Sequence, residues 1–209
     1  MNEKEQLRSC VDCGTQNCKF KNRTYPEFCL TTNLDQADLD WAMERYNHEV
    51  MVASAEVEYE GYCQLTRVEE IMTFARKIGA RKIGIANCIG LINEARIFAQ
   101  ILRKNGFEPY AVICKVGGKA KTSVGIPAAC EGIGAAMCNP ILQARLLNEA
   151  HTDLNVVIGL CVGHDSLFYR YSEAYVTTLV TKDRVTGHNP AAALYTARSY
   201  YKKKLHMDE

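Results

Sequence analysis

Hydrophobic positions along the chain follow two spacings, one typical of helices and one typical of buried strands. Continuous apolar runs of strand length occur at residues 81–87, 107–115, 154–160 and 175–183. Short apolar runs of this kind, separated by helical segments, are typical of parallel strands that are covered on both faces. The pattern therefore predicts four strands of one parallel sheet.

Apolar residues at helical spacing predict helices before, between and after these strands. Two of the helices begin with capping boxes, Asn33 with Gln36 and Thr66 with Glu69. The first is expected to run to about Val50 and to bury Leu39, Ala42, Met43 and Tyr46. The remaining helices are predicted over residues 91–106, 139–150, 164–171 and 189–201, the last three beginning at Asn139, His164 and Asn189.

The alternation of strands and helices predicts an α/β fold, a Rossmann-like or flavodoxin-like parallel sheet of about four strands flanked by helices. Residues 1–30 differ from the rest, because they are polar, contain four cysteines and have no periodic apolar face. Such a segment cannot bury enough apolar surface to order itself. We expect a cysteine-rich metal-binding segment at residues 1–30 and an α/β domain at residues 31–209.

Composition narrows the classes of function. The chain has 209 residues and a formal net charge of +1, so no global field attracts nucleic acid or an anionic membrane. The charged start, with Glu3 and Glu5, has no apolar segment typical of a secretory signal. We therefore expect a cytoplasmic protein. In a reducing cytosol, ten cysteines indicate metal binding or redox chemistry more than structural disulfides.

The N-terminal cysteines follow the spacing C-x2-C-x4-C-x10-C, at Cys10, Cys13, Cys18 and Cys29. A close pair can chelate one ion from a tight turn, and Gly14 gives that turn its backbone freedom. Four thiolates suit either tetrahedral zinc or an iron–sulfur cluster, and the spacing does not separate the two. Free or redox-active thiols in this segment are the alternative.

Cysteines also stand where three predicted strands end, at Cys88, Cys114 and Cys161. The carboxyl ends of parallel strands share one edge of the sheet, and ligands of open α/β sheets bind there. Cys138 precedes the helix at Asn139, whose positive dipole end lowers the pKa of a thiol. The sequence therefore predicts one thiol-rich site at this edge.

Two histidines are expected at the same edge. Gly-His pairs end at His164 and His188, and Asp165 follows the first of them. We take Cys161, His164, Asp165 and His188 as candidate catalytic residues and Cys88, Cys114 and Cys138 as candidate cofactor-binding residues. Each cysteine by itself is also explained as a small buried hydrophobe, so the prediction rests on their convergence.

The stretches GLCVGHDSLF and GHNP, the ICKVGG segment and the Cys10-x2-Cys13-x4-Cys18 start give the chain a resemblance to a known family. It resembles, over nearly its whole length, the prokaryotic family called domain of unknown function 1847. That resemblance implies a predicted metal-binding protein but no reaction, and Cys63 and Cys130 fall outside the family pattern. The motif residues are Cys10, Cys13, Cys18, Cys88, Cys114, Cys138, Cys161, His164, Asp165, His188 and Asn189.

Three hypotheses follow. The first is a metal-binding α/β protein whose Cys/His pocket performs redox or sulfur-transfer chemistry, with a small-molecule substrate or an electron-transfer partner. The second is a non-catalytic metal carrier or redox sensor. The third is a zinc-stapled domain that binds a small ligand while its other cysteines only pack. The sequence leaves open which of these is correct and whether the protein is an enzyme.

Overall fold

The computed structural model describes residues 8–20 and 24–207. Glu3, Glu5, Lys21 and Arg23 lie outside these residues. The chain divides into two compact units, one up to Met51 and one from Val52 onward. The expected separate segment at residues 1–30 stays a prediction.

The first unit contains short helical elements and few packed side chains. Single 3-10 turns cover Cys10–Asp12 and Asn17–Phe20, and no described residue of either turn is buried. The α-helices are α1 (Leu30–Asn33), α2 (Gln36–Glu44) and α3 (His48–Gly61), of which α3 continues into the second unit.

The expected single helix from Asn33 to about Val50 is wrong. Asp35 caps α2 in a reciprocal box with Asp38, and the Asn33 amide instead donates to the Glu27 carbonyl oxygen at 3.2 Å. A second cap, from the Asn47 side chain to the Val50 amide at 3.0 Å, restarts the helix as α3. The periodic residues Leu39, Met43 and Tyr46 are exposed, since α2 buries no residue at all.

The second unit alternates helices and strands, as the hydrophobic pattern predicts. The helix after Thr66 keeps the predicted capping box, because the Thr66 amide donates to the Glu69 carboxylate at 2.8 Å and the Glu69 amide donates to the Thr66 hydroxyl at 3.4 Å. Among the described residues, no helix is both long and apolar enough to span a membrane. The elements are α4 (Arg67–Lys77), β1 (Lys82–Asn87), α5 (Ile92–Lys104), β2 (Glu108–Ile113), α6 (Pro140–Glu149), β3 (Leu154–Ile158), α7 (His164–Tyr171), β4 (Tyr175–Val180) and α8 (Ala191–Tyr195).

The four strands form one all-parallel sheet in the order β2-β1-β3-β4, which confirms the predicted fold class. This is the strand order of flavodoxin-like folds. The chain reverses its direction of winding between β1 and β3, and a crevice opens there outside the carboxyl ends of the strands. The fold therefore offers its ligand position next to the residues that follow β1 and β3.

Each face of the sheet packs a separate apolar core. One core joins the sheet to α4 and α5 through Ile83, Ile85 and Val156, all fully buried. The other joins the sheet to α6 and α7, and it includes Phe168 from α7. Cys88 and Cys114 belong to this second core and lie just beyond the carboxyl ends of β1 and β2. The thiols therefore sit on the α6–α7 side of the sheet.

The last predicted helix, over residues 189–201, is much shorter than expected. It covers only Ala191–Tyr195, and Pro190 rather than the Asn189 side chain stands at its start. Leu194, Tyr195 and Tyr200 are largely exposed, so no apolar face holds a longer helix against the sheet.

Candidate functional site

Cys88 and Cys114 are neighbours at the carboxyl edge of the sheet. Asn87 pairs with Ile113 in the parallel register, so the two cysteines occupy the next paired position. The ladder continues through them, because the Cys114 amide donates to the Asn87 carbonyl oxygen at 2.8 Å. Parallel strands lie about 4.8 Å apart, and paired side chains point to the same face. Both thiols are therefore adjacent, and both are buried.

Cys138 joins this pair from the long connection before α6. The Asn139 amide donates to the Cys114 carbonyl oxygen at 2.8 Å, which places Cys138 beside Cys114. The Asn139 side chain accepts from the Leu142 amide at 3.0 Å, and Pro140 follows in the first turn. This is the predicted helix start. Cys138 packs against the second core but remains only partly buried.

The three thiols form a hydrogen-bonded row with Cys114 in the middle. Hydrogen bonds with Cys138 and Cys88 raise the pKa of Cys114 well above its ordinary value, because they hold its proton in place. Hydrogen bonding with Cys114, whose single proton the two neighbours share, lowers the pKa of Cys88 to about 5 and the pKa of Cys138 to about 5. At neutral pH the central sulfur therefore keeps its proton, and the outer sulfurs are thiolates. We call Cys88, Cys114 and Cys138 the thiol row.

Backbone and cationic groups support these charges. The Ile89 amide donates to the Cys114 sulfur at 3.3 Å, and the Gly90 amide donates to Cys88. Lys182, which follows β4, hydrogen-bonds Cys88, and Lys115, which follows β2, hydrogen-bonds Cys138. A low-pKa thiol next to lysine is the environment of a reactive cysteine.

Cys161 lies near the row and has its own cationic partner. The Arg184 guanidinium donates to the Cys161 sulfur at 3.1 Å, and its charge also acts on Cys88 and Cys138. His164, at the start of α7, acts electrostatically on Cys138. Cysteines and a histidine that the sequence places after separate strands therefore meet at one edge of the sheet.

Two other candidate residues are held in local turns. The His188 Nδ1 atom accepts from the Asp183 amide at 3.1 Å, and the His188 amide donates to the Asp183 carbonyl oxygen at 2.8 Å. His188 adopts a left-handed backbone with a φ of 67°. The Asp165 carboxylate accepts from the Ser166 amide at 2.8 Å, within the first turn of α7. No described contact links His188 or Asp165 to the thiol row, and their catalytic role stays a prediction.

The four N-terminal cysteines share one cavity within the first unit. The cavity has a volume of about 210 Å³, and Cys10, Cys13, Cys18 and Cys29 all line it. A hydrogen bond with the Thr15 side chain, with further bonds from the Gln16 and Thr15 backbone, lowers the pKa of Cys13. The predicted ligands therefore come from two turns and a helix start that surround a common space.

Donor chemistry and geometry give different answers about a metal. Four thiolates are a donor set that suits zinc or an iron–sulfur cluster. Within residues 8–20 and 24–207, however, no three His, Cys, Asp or Glu side chains are arranged so that they could hold a metal ion. Coordination at this cavity therefore requires the cysteine side chains to move closer together. Such a rearrangement is typical of metal sites whose formation is coupled to folding.

No role for the two lysines of the site was predicted from the sequence. Lys115 stands two residues after the end of β2, and Lys182 stands two residues after the end of β4. The strand-end position that selected the cysteines therefore also selects these lysines. Isolated lysines are usually solvated surface charges, and only their contacts with the sulfurs distinguish them.

Comparisons with known proteins agree with the resemblance in the motifs. A family model described as "Protein of unknown function (DUF1847)" matches residues 29–179. An uncharacterised protein of Methanocaldococcus jannaschii is 51% identical over 196 residues, which is 94% of this chain and 97% of the relative. The match includes the carboxyl ends of β1, β2 and β3, with the thiol row and Cys161. The chain belongs to the DUF1847 family.

Proposed function

We propose that the thiol row is a redox site that performs thiol–disulfide exchange. The observation that carries this proposal is the adjacency of three cysteines, because Cys88 and Cys114 continue the β1–β2 register and the Asn139 amide bonds the Cys114 carbonyl oxygen beside Cys138. Hydrogen bonding among them lowers the pKa of Cys88 and Cys138 and raises the pKa of Cys114. Thiolates are the nucleophiles of disulfide exchange, and a second thiol nearby is needed to resolve the mixed disulfide.

Cys138 is the entry nucleophile, because it is partly exposed while Cys88 and Cys114 are buried. Its thiolate attacks one sulfur of a substrate disulfide R–S–S–R′. A Cys138–S–S–R bond forms, the substrate S–S bond breaks, and R′S⁻ leaves. We assign His164, which acts electrostatically on the Cys138 sulfur, the role of proton donor to this leaving thiolate.

Cys114 then resolves the mixed disulfide. Its proton passes to the Cys88 thiolate, and the resulting Cys114 thiolate attacks the Cys138 sulfur. A Cys114–Cys138 disulfide forms and RS⁻ leaves, so the substrate disulfide is reduced to two thiols while two protein thiols are oxidised. Return to the starting state requires a reducing thiol or dithiol partner, which a cytoplasmic location would supply.

Disulfide mapping tests the proposal. We expect a small neutral disulfide, added to the reduced protein, to produce an internal disulfide between Cys114 and Cys138, identified by peptide mass spectrometry. Replacement Cys114→Ser should stop the reaction at a stable Cys138 mixed disulfide. The matched change Cys130→Ser, at an exposed cysteine, should leave the internal disulfide intact. Wild-type protein in which Cys138 and Cys114 stay reduced while exposed cysteines react would refute the proposal.

A second proposal, metal binding by the first unit, is supported by the cavity that Cys10, Cys13, Cys18 and Cys29 line together. A tetrahedral zinc ion would fix the fold of this segment, and an iron–sulfur cluster would exchange single electrons. The cysteines would supply the thiolates, and a non-catalytic carrier or sensor role uses the same residues.

Metal analysis distinguishes these possibilities. We expect anaerobically purified protein to bind zinc or iron, and Cys13→Ser to remove at least about 90% of it, because loss of a thiolate ligand typically lowers affinity strongly. The control Cys63→Ser, an exposed cysteine outside the cavity, should keep the full amount. Equal metal content in the two variants, or none in the wild type, would exclude the N-terminal site.

A further inference from the structure

The thiol row is surrounded by positive charge. Lys182 contacts Cys88, Lys115 contacts Cys138, and the Arg184 guanidinium lies 3.1 Å from the Cys161 sulfur. A side-chain carbon added at Gly90 would lie 3.8 Å from the Lys182 ammonium nitrogen and 3.9 Å from the Cys88 sulfur, so this ammonium group and this sulfur flank the same turn.

Among the described residues, no ion pair joins Lys115, Lys182 or Arg184 to a carboxylate. The ion pairs found among the described residues involve other lysines and arginines. The nearest acid along the chain, Asp183, is occupied with its own turn, where its Oδ1 atom accepts from the Val185 amide at 2.8 Å and the Thr186 amide at 2.9 Å. In the described part of the chain, the hydrogen bonds of these three cations are with sulfurs and, for Lys115, with the Ala136 carbonyl oxygen at 2.6 Å.

The thiolates balance this charge only in part. Cys114 keeps its proton, so the row carries at most two negative charges opposite three cations. Arg184 is exposed and Cys161 and Cys138 are partly exposed, whereas Cys88 is buried. The Arg184 charge, which contacts only the Cys161 sulfur among the described side chains, therefore lies on the open side of the row, where a substrate approaches Cys138. A preorganised cation at an entrance strengthens binding of an anion and accelerates its association.

From this arrangement we infer that the thiol row acts on an anionic sulfur compound, a disulfide bearing a carboxylate or sulfonate group, and that Arg184 binds its acid group. The inference rests on the proposed exchange function. Arg184 is the residue that selects the anion, because it stands at the exposed end of the site and its fork of N–H groups matches a carboxylate or sulfonate.

Two alkylating reagents of nearly equal size test the charge preference. Iodoacetate is an anion and iodoacetamide is neutral, so the ratio of their rates at Cys138 reports charge selection independently of the thiolate fraction. We expect the rate with iodoacetate divided by the rate with iodoacetamide, normalised to the same ratio for N-acetylcysteine, to be about ten at low ionic strength. This normalised ratio should fall as salt is added. Arg184→Gln should lower it at least about threefold. The control Arg103→Gln, at the exposed carboxyl end of α5, should not change it.

The two failures are distinguishable. A normalised ratio of one that Arg184→Gln leaves unchanged, with Cys138 still reacting readily with iodoacetamide, would overturn the anionic substrate while the exchange proposal stands. Cys138 that reacts with both reagents only as a protonated, ordinary thiol does would overturn the exchange proposal and the inference together.

Discussion

Replacement Cys114→Ala is expected to raise the pKa of the two flanking thiols, Cys88 and Cys138, and so to make Cys138 react more slowly at pH 6 and faster at pH 8. In the wild type, the hydrogen bond from Cys114 is the largest cause that lowers the pKa of Cys88 and of Cys138, each to about 5. Alanine removes this donor, so both pKa values move toward the ordinary value of about 8.5. The thiolate fraction at pH 6 then falls from about nine-tenths to under about one-hundredth.

Reactivity does not follow the thiolate fraction alone. A thiolate of higher pKa is a stronger nucleophile, which offsets part of the loss. For a full return to the ordinary pKa, we expect the rate of Cys138 with a neutral disulfide to fall roughly tenfold at pH 6 and to rise several-fold at pH 8. The measurement is the rate of mixed-disulfide formation at Cys138, followed by mass spectrometry from pH 4 to 9 (about five units, wide enough to cover both pKa values).

Two controls separate this effect from unfolding. Cys114→Ser retains a hydroxyl donor in the buried position, so its profile should lie between those of the wild type and the alanine variant. Cys130→Ala, at an exposed cysteine, should reproduce the wild-type profile. Identical pH profiles for wild type and Cys114→Ala, in protein that remains folded, would show that Cys114 does not supply the proton.

The parallel sheet could be predicted from sequence because its strands are continuous apolar runs. β3 is buried at every position and β1 at all but its first, so tertiary packing agrees with the local pattern in these two central strands. The edge strands β2 and β4 are exposed or half-buried at most positions, because each has a neighbour on one side only. The caps at Thr66 and Asn139 are likewise local signals. The strand order needed the three-dimensional structure, because the apolar runs carry no information about which neighbours pair.

The convergence of cysteines at one edge could also be predicted, because the carboxyl ends of parallel strands share one edge of the sheet. What the sequence could not provide was the order within the row. Cys114 lies in the middle because β2 neighbours β1 and because the chain before α6 returns to the end of β2. The position of the shared proton depends on that order, and so does the assignment of Cys138 as the exposed end.

The failed prediction of a helix from Asn33 to Val50 has a physical explanation. The apolar residues there have helical spacing, but competing caps at Asp35 and Asn47 divide the segment into two helices. Periodicity also implied burial, yet Leu39 is 46% exposed and Met43 is 62% exposed. A helical pattern therefore predicted the element type better than its limits or its packing.

A trivalent arsenical should bind the thiol row as one unit. Phenylarsine oxide condenses with two neighbouring thiols, forming two As–S bonds and releasing water, and it bonds weakly to an isolated thiol. Cys88 and Cys114 face each other at the position after the Asn87–Ile113 pair of β1 and β2. Neighbouring strands lie about 4.8 Å apart, so the two side chains are within reach of such a bridge. Cys138 flanks Cys114 on the other side. The arsenical should therefore block Cys114 together with one of its two neighbours.

Protection from alkylation by saturating phenylarsine oxide is the most direct test of the convergence of these thiols. The folded protein is treated with the arsenical and then denatured in the presence of iodoacetamide, which also reaches the buried Cys88 and Cys114. Each cysteine is scored by peptide mass spectrometry and compared with protein that received no arsenical. We expect Cys114 and either Cys88 or Cys138 to be protected together in at least about 90% of molecules. This fraction corresponds to an arsenical concentration of about ten times its dissociation constant. Cys130 should be alkylated fully. Independent alkylation of Cys88, Cys114 and Cys138 in the folded protein would contradict a shared thiol site.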